Sequence, residues 1–130
     1  GNGFAWPATW KAVTKPLPTD VKRGFLFPYD SWANRIATHR FVVDIPSGQG
    51  TAADAALAEI ERRLPLLRER DVAIIWGGDD FCFNRHYFKR WQGMLPQAAA
   101  HYLPGIGHYL LEDGGQAVVE QVKTLILGAR

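Results

Sequence analysis

Only two short stretches of this chain, Val72–Trp76 and Ala98–Leu103, have the composition of β-strands, and one helical stretch lies between them. Val72–Trp76 is apolar without alternation, the pattern of a strand covered on both faces. From Thr51 onward the order reads helix, strand, helix, strand, helix, which implies an α/β fold with a parallel sheet and flanking helices. A parallel sheet of two strands leaves both outer edges unpaired and buries little. The chain therefore reads as part of a larger sheet, its missing strands supplied by another chain or by a longer version of this one. It begins with Gly1 rather than Met, which fits a processed or trimmed product.

The helices follow from the spacing of apolar residues. An alanine-rich helix starts at Thr51 and carries Leu57, Ile60 and Leu64 on one side until Pro65 interrupts it. Arg85–Leu95 turns Tyr87, Phe88, Trp91 and Leu95 inward, and Gln116–Leu127 carries Val118, Val119, Val122, Leu125 and Ile126. Residues 1–48 have a different texture, with Trp6, Trp10 and Trp32 and five of the eight prolines. Pro7, Pro16, Pro18 and Pro28 are expected to break this part into short pieces. One helix is expected within it, capped by Asp30 or Ser31 and running from Trp32 to Val43, with Trp32, Ile36 and Val43 on one face. Ser47-Gly-Gln-Gly50 reads as a joint between residues 1–48 and 49–130.

Bulk properties exclude several functions. At 130 residues the chain has room for one ordinary domain. The net charge of +2 is small, and Arg62, Arg63, Arg68 and Arg70 interleave with Glu59, Glu61, Glu69 and Asp71. That is a solvated helical face rather than a nucleic-acid surface. No apolar run reaches the roughly 18 residues of a membrane span, and no signal-peptide pattern opens the chain. The single cysteine, Cys82, forbids an internal disulfide, and a cytoplasmic setting is expected. Its two phenylalanine neighbours disfavour a nucleophilic thiolate.

The residues with chemistry sit beyond the strands. Ligands of open parallel sheets bind at the carboxyl ends of the strands. Asp79 and Asp80 follow the first strand there, in Trp76-Gly-Gly-Asp-Asp-Phe, and His108 follows the second, after Pro104-Gly-Ile-Gly. Strands joined by one crossover are expected to pair, which brings Asp80 and His108 to one edge. A carboxylate there holds an imidazole in one tautomer and stabilises its protonated form, so that the histidine serves as a general base. Asp79 reads as a solvated turn residue. His39, His86 and His101 lack such a setting and their spacing makes no metal site, so neither a metal nor another cofactor is expected. Phe83, Trp6 and Trp10, with Phe81, are candidates for lining an apolar substrate cavity. No nucleophile on a sharp turn is evident.

These turns resemble a family. Trp76-Gly-Gly-Asp-Asp-Phe is similar to the turn after the seventh strand of α/β-hydrolases, and Gly105-Ile-Gly-His-Tyr with Leu110-Leu-Glu-Asp to their catalytic-histidine loop. Upstream, Phe27-Pro-Tyr-Asp-Ser-Trp-Ala-Asn-Arg-Ile-Ala and His39-Arg-Phe-Val-Val-Asp-Ile-Pro resemble the end of the cap domain in the haloalkane dehalogenase-like branch. That branch includes dehalogenases, epoxide hydrolases and the β-lactone decarboxylases of long-chain olefin synthesis, and the last resemble this chain most, through Tyr-Asp-Ser-Trp-Ala-Asn-Arg and Asp-Phe-Cys-Phe-Asn. The resemblance implies the C-terminal portion of an α/β-hydrolase fold, residues 49–130, preceded by a helical cap remnant, residues 1–48. It places the family's acid on Asp80 and its base on His108, 28 residues apart. The family's nucleophile elbow and first oxyanion-hole loop would lie before Gly1.

The chain alone is therefore expected to be inactive. Its expected partners are the N-terminal half of the hydrolase or a second copy, and a small apolar substrate. The alternative is a non-catalytic fragment or α/β module that dimerises through its open sheet edge and tryptophan-rich surface.

Overall fold

A computed structural model describes residues 3–128. Six α-helices and two strands follow in the order α1 (Ala5–Lys11), α2 (Thr19–Leu26), α3 (Ile36–Val43), α4 (Ala52–Arg63), β1 (Ala73–Gly77), α5 (Arg85–Met94), β2 (Ala99–Leu103) and α6 (Leu110–Gly128). Short 3-10 turns at Phe27–Tyr29, Ala33–Arg35 and Leu64–Leu67 join them. The strands pair in parallel from Ala73 opposite Ala99 to Gly77 opposite Leu103, so their carboxyl ends finish level. Among the described residues the sheet has these two strands and no more. This is the mixed α/β arrangement expected, with a small parallel sheet and α5 and α6 packed on β1.

Local signals start the helices where the chain supplies them. Thr51 Oγ1 accepts from the Asp54 N–H while the Asp54 carboxylate accepts from the Thr51 N–H, a reciprocal cap on α4. Asn84 Oδ1 accepts from the His86 N–H and opens α5. Residues 47–50 form more than a joint. Gly48 and Gly50 take left-handed backbone, and the Gly48 N–H donates to Asp54 at 2.9 Å.

Three expectations need correction. Pro7 does not break the chain: it lies in the first turn of α1, where its missing N–H has no helical partner to lose. Pro18 takes the N-cap position of α2, so the proline-rich segment holds two helices that the sequence hid. The stretch from Trp32 to Val43 is not one helix. Ser31 Oγ accepts from the Asn34 N–H and starts a 3-10 turn, and the α-helix begins only at Ile36. The last helix runs from Gln116 as expected, and a further helical turn from Leu110 precedes it, separated from it by a break at Gly115 with φ +43°.

Burial is thin. The core consists of Ala5, Ala12, Leu17, Leu64, Ile74, Phe88, Leu95 and Val118. Phe88 and Leu95 face inward from α5 as expected, but the Trp32, Ile36 and Val43 face of α3 is open to solvent. No helix among the described residues is long and apolar enough to cross a membrane.

Candidate functional site

The site forms where the two turns beyond the strands are bonded to each other. Gly78 N–H donates to Leu103 O at 2.8 Å and Asp79 N–H to Ile106 O at 2.9 Å. The turns touch so closely that a Cβ on Gly77 would lie 2.7 Å from the Ile106 carbonyl, so only glycine fits there. Tyr102 adds a hydroxyl bond to the Gly78 carbonyl at 2.8 Å.

This arrangement brings Asp80 and His108 into contact. His108 Nδ1 lies 2.9 Å from Asp80 Oδ2, with the carboxylate side chain 9% exposed and the imidazole 31%. The other carboxylate oxygen accepts the N–H groups of Cys82 and Phe83, each at 2.8 Å. Burial would raise the Asp80 pKa, but the Phe83 N–H, the His108 imidazole and the Cys82 N–H outweigh it and hold the carboxyl below its ordinary value. The ionised acid thus faces the imidazole with three of its acceptor positions committed. With Nδ1–H donating to it, Nε2 is left as the basic nitrogen. Nε2 has no hydrogen-bond partner among the described residues.

Aromatic rings surround the imidazole. Phe81 and Phe83 lie 5.9 and 5.5 Å from its centre, and Tyr109 6.1 Å. Phe83 also meets Tyr87 edge to face at 5.4 Å, and its carbonyl accepts the Trp76 indole N–H at 2.7 Å. Beside the site runs an open, mainly apolar groove of about 620 Å³, lined in part by Phe4, Ala8, Val21, Phe25, Tyr29 and Tyr109. Phe25 stacks on Tyr109 at 4.8 Å, and burial followed by the neighbouring Tyr29 raises the Tyr109 pKa.

The sequence candidates are thus distributed unevenly. Asp80, His108 and Phe83 come together. Trp6 and Trp10 meet each other edge to face on α1, half-exposed, and the rings next to His108 are not theirs. Asp79 is exposed, and His39, His86 and His101 lie on α3, α5 and β2. Cys82 is exposed and free. Among the described residues no group of three or more His, Cys, Asp or Glu side chains converges as a metal site would require.

Two contributors escaped the sequence. Tyr109 borders the groove, and Asp113 ties the histidine turn to the N-terminal segment. The visible signal for Asp113 was an acidic residue in the first turn of the helix after the histidine loop, which is also the ordinary pattern of a helix start. Nothing local separates the two roles.

Comparison with known proteins follows the same residues. No protein-family model matches the chain. It is 34% identical over 125 residues to a cis-3-alkyl-4-alkyloxetan-2-one decarboxylase of Xanthomonas campestris, covering 96% of this chain and 42% of that protein. It is 34% identical over 123 residues to the protein of the same name from Shewanella oneidensis, covering 94% of this chain and 39% of that one. A flap endonuclease Xni of Shewanella sediminis matches over 50 residues, 36% of this chain, too short a stretch to account for the site. The resemblance carried by the two turns therefore extends along almost the whole chain, to the C-terminal part of β-lactone decarboxylases of the α/β-hydrolase type. The chain spans about two fifths of the length of these curated relatives.

Proposed function

We propose that this chain is the acid- and base-bearing C-terminal part of an α/β-hydrolase-like enzyme acting on an apolar β-lactone. The observation that carries the proposal is the 2.9 Å contact between His108 Nδ1 and the largely buried carboxylate of Asp80, in a turn whose next residue, Tyr109, lines an apolar groove. The substrate that the relatives are named for, an oxetan-2-one with alkyl groups at ring carbons three and four, suits that groove in polarity. In this reading residues 1–48 are the remnant of a cap, residues 49–130 belong to the hydrolase core, and Phe83 borders the reacting ring. Trp6 and Trp10 are assigned to the cap side of the substrate cavity.

Decarboxylation of an oxetan-2-one breaks the ring bond between oxygen and carbon four and the bond between carbons two and three. It yields an alkene and carbon dioxide, with no net gain or loss of water. A carboxylate nucleophile in the N-terminal half would attack carbon four, breaking its bond to the ring oxygen and leaving an ester at carbon four and a free carboxylate on carbon three. Loss of that carboxylate as carbon dioxide then forms the alkene and expels the enzyme carboxylate from carbon four. His108 then serves that intermediate. As the imidazolium it hydrogen-bonds a developing carboxylate, and as the neutral base it takes a proton from water where the ester is hydrolysed instead. Asp80 lowers the free energy of the imidazolium and keeps the ring from rotating. Dehalogenase and epoxide chemistry need the same pair and differ in the leaving group.

The partner proposed is the N-terminal half of the same hydrolase, because the relatives are more than twice the length of this chain. A cytoplasmic setting fits the single exposed thiol. The experiment is to co-express this chain with the N-terminal half of a relative and measure alkene release from a cis-dialkyl β-lactone. Turnover that needs both parts and disappears with His108→Ala supports the proposal. Full turnover by His108→Ala, or by the N-terminal half alone, rejects it. A stable homodimer of this chain that ignores the N-terminal half would favour the dimerising module instead.

A further inference from the structure

The histidine turn is held from a third side, by residues 12–15. On one flank of His108, the Tyr109 N–H donates to Ala12 O at 2.8 Å. On the other, the Gly107 N–H donates to Asp113 Oδ2 at 2.8 Å. The same carboxylate accepts the Thr14 N–H at 2.7 Å and the Lys15 N–H at 3.3 Å. Thr14 Oγ1 completes the set by donating to Gly105 O at 2.8 Å.

Asp113 is the centre of this arrangement and is only 8% exposed. A buried carboxylate without partners is costly, and its partners here come from two distant places. Gly107 is six residues before it, whereas Thr14 and Lys15 are 99 and 98 residues before it. The carboxylate is fully satisfied only when the N-terminal segment lies against the histidine turn. Sterics enforce the same approach. A Cβ on Gly107 would lie 2.9 Å from both Ala12 O and Asp113 Oδ2. A helix-start role alone would need neither Thr14 nor Lys15.

We infer that Asp113 is a positioning residue. It couples docking of residues 12–15 to the orientation of His108 against Asp80. The coupling passes through the backbone. Asp113 and Ala12 fix the peptide groups on both sides of His108, and Ile106, one residue further, bonds the turn that carries Asp80. Release of the N-terminal segment leaves Asp113 with two unmet acceptor positions and frees both flanks of the histidine. In a cap-bearing enzyme this makes seating of the cap segment around residues 12–15 a condition for an aligned base. The inference rests on the reading of Asp80 and His108 as acid and base.

The test uses the chain by itself. The proton on His108 Nδ1, held by the Asp80 carboxylate, gives a far-downfield NMR resonance that is independent of substrate. Amide exchange at Gly107, Thr14 and Tyr109 is measured on the same samples. Asp113→Ala is expected to abolish the resonance and to speed exchange by about tenfold or more at Gly107 and Thr14, which lose a hydrogen bond to a charged group, and at Tyr109 through release of Ala12. Asp113→Asn, which keeps one oxygen acceptor, is expected to weaken both effects. Val118→Ala serves as the control, because it opens the core under α6 and removes none of the hydrogen bonds that hold the turn. It should lower stability and leave the resonance in place.

If Asp113→Ala does not fold, Asp113→Asn decides. A resonance and exchange rates unchanged from the parent overturn the inference, as does equal loss of the resonance in Val118→Ala and Asp113→Ala. Asp80→Asn separates the two levels. A resonance that survives it sinks the acid–base reading itself. A resonance lost in Asp80→Asn but kept in the Asp113 variants sinks only the coupling.

Discussion

The carboxyl end of the sheet and helix α3 are in opposite states. Around His108 the turn of residues 77–80, the turn of residues 105–108 and residues 12–15 are bonded to one another, and Gly77, Gly107 and Asp113 are buried. On α3 and its flanks Trp32 is 81% exposed, Phe41 77% and Val43 68%. The difference lies in the partners available. The turns meet each other within this chain, so their backbone groups are satisfied without help. The stripe on α3 has an apolar face that the described residues leave largely open to solvent. Two turns and a distant segment can thus be fully bonded to one another in a chain that leaves a hydrophobic face uncovered.

That contrast can be broken or sharpened by measurement. The largest effect is expected at the chemistry. In the reconstituted enzyme, Asp80→Asn leaves the geometry but removes the carboxylate that orients the imidazole, and kcat/KM for β-lactone loss should fall by about 10⁴-fold. A fall below tenfold would mean that the assembled turn is only structural.

Next come the glycines that allow the turns to touch. Gly77→Ala places a methyl against the Ile106 carbonyl and Gly107→Ala against the Ala12 carbonyl. Each should cost about 2–3 kcal/mol in urea unfolding, the range of overpacking without room to relax. A loss within 0.5 kcal/mol (~ the scatter of surface substitutions) would show that the turns part easily.

The acid dependence is smaller. Burial raises the Asp113 pKa, but the N–H groups of Thr14, Gly107 and Lys15 outweigh it and hold the carboxyl below 3.8, and Asp80 is likewise lowered. The unfolded chain therefore binds these protons first. Their contribution is complete above the ordinary value of 3.8 and is lost as pH falls through the lowered folded values. The urea midpoint should drop as pH is lowered through that window, and the drop should be shallower in Asp113→Asn. An identical slope would remove Asp113 from the account.

The smallest effect is expected on α3. Trp32→Ser and Val43→Ser should change the stability of the isolated chain by less than about 0.5 kcal/mol, because both side chains are already in water. The same variants should weaken association with the N-terminal half, measured by titration. A loss above 1 kcal/mol in the isolated chain (~ a buried methylene) would show that this face is packed after all.

Much of the site was legible beforehand because its signals are local. A strand ending in Gly-Gly-Asp-Asp and another ending in Pro-Gly-Ile-Gly-His announce turns, and parallel pairing brings their tips level. The inward stripe of α5 was legible only in part, since Phe88 and, just past its end, Leu95 are buried whereas Tyr87 is exposed. Helices α1 and α2 were not, because Pro7 and Pro18 are helix breakers everywhere except at a first turn or a cap. The 3-10 start before α3 was lost to the same ambiguity, with Ser31 capping a turn rather than the helix.

By itself, then, the sequence determined the two strands, their helical flanks and the pairing of Asp80 with His108. Each of those depends on residue order over short spans and on the single crossover between β1 and β2. Only the tertiary structure decided that Asp113 serves the histidine turn and that the α3 stripe stays open. The first depends on carboxylate bonds to Thr14 and Lys15, almost a hundred residues away. The second depends on which surfaces the chain itself can bring to an apolar face. Periodicity shows which side of a helix is apolar, but burial is a property of what arrives to cover it.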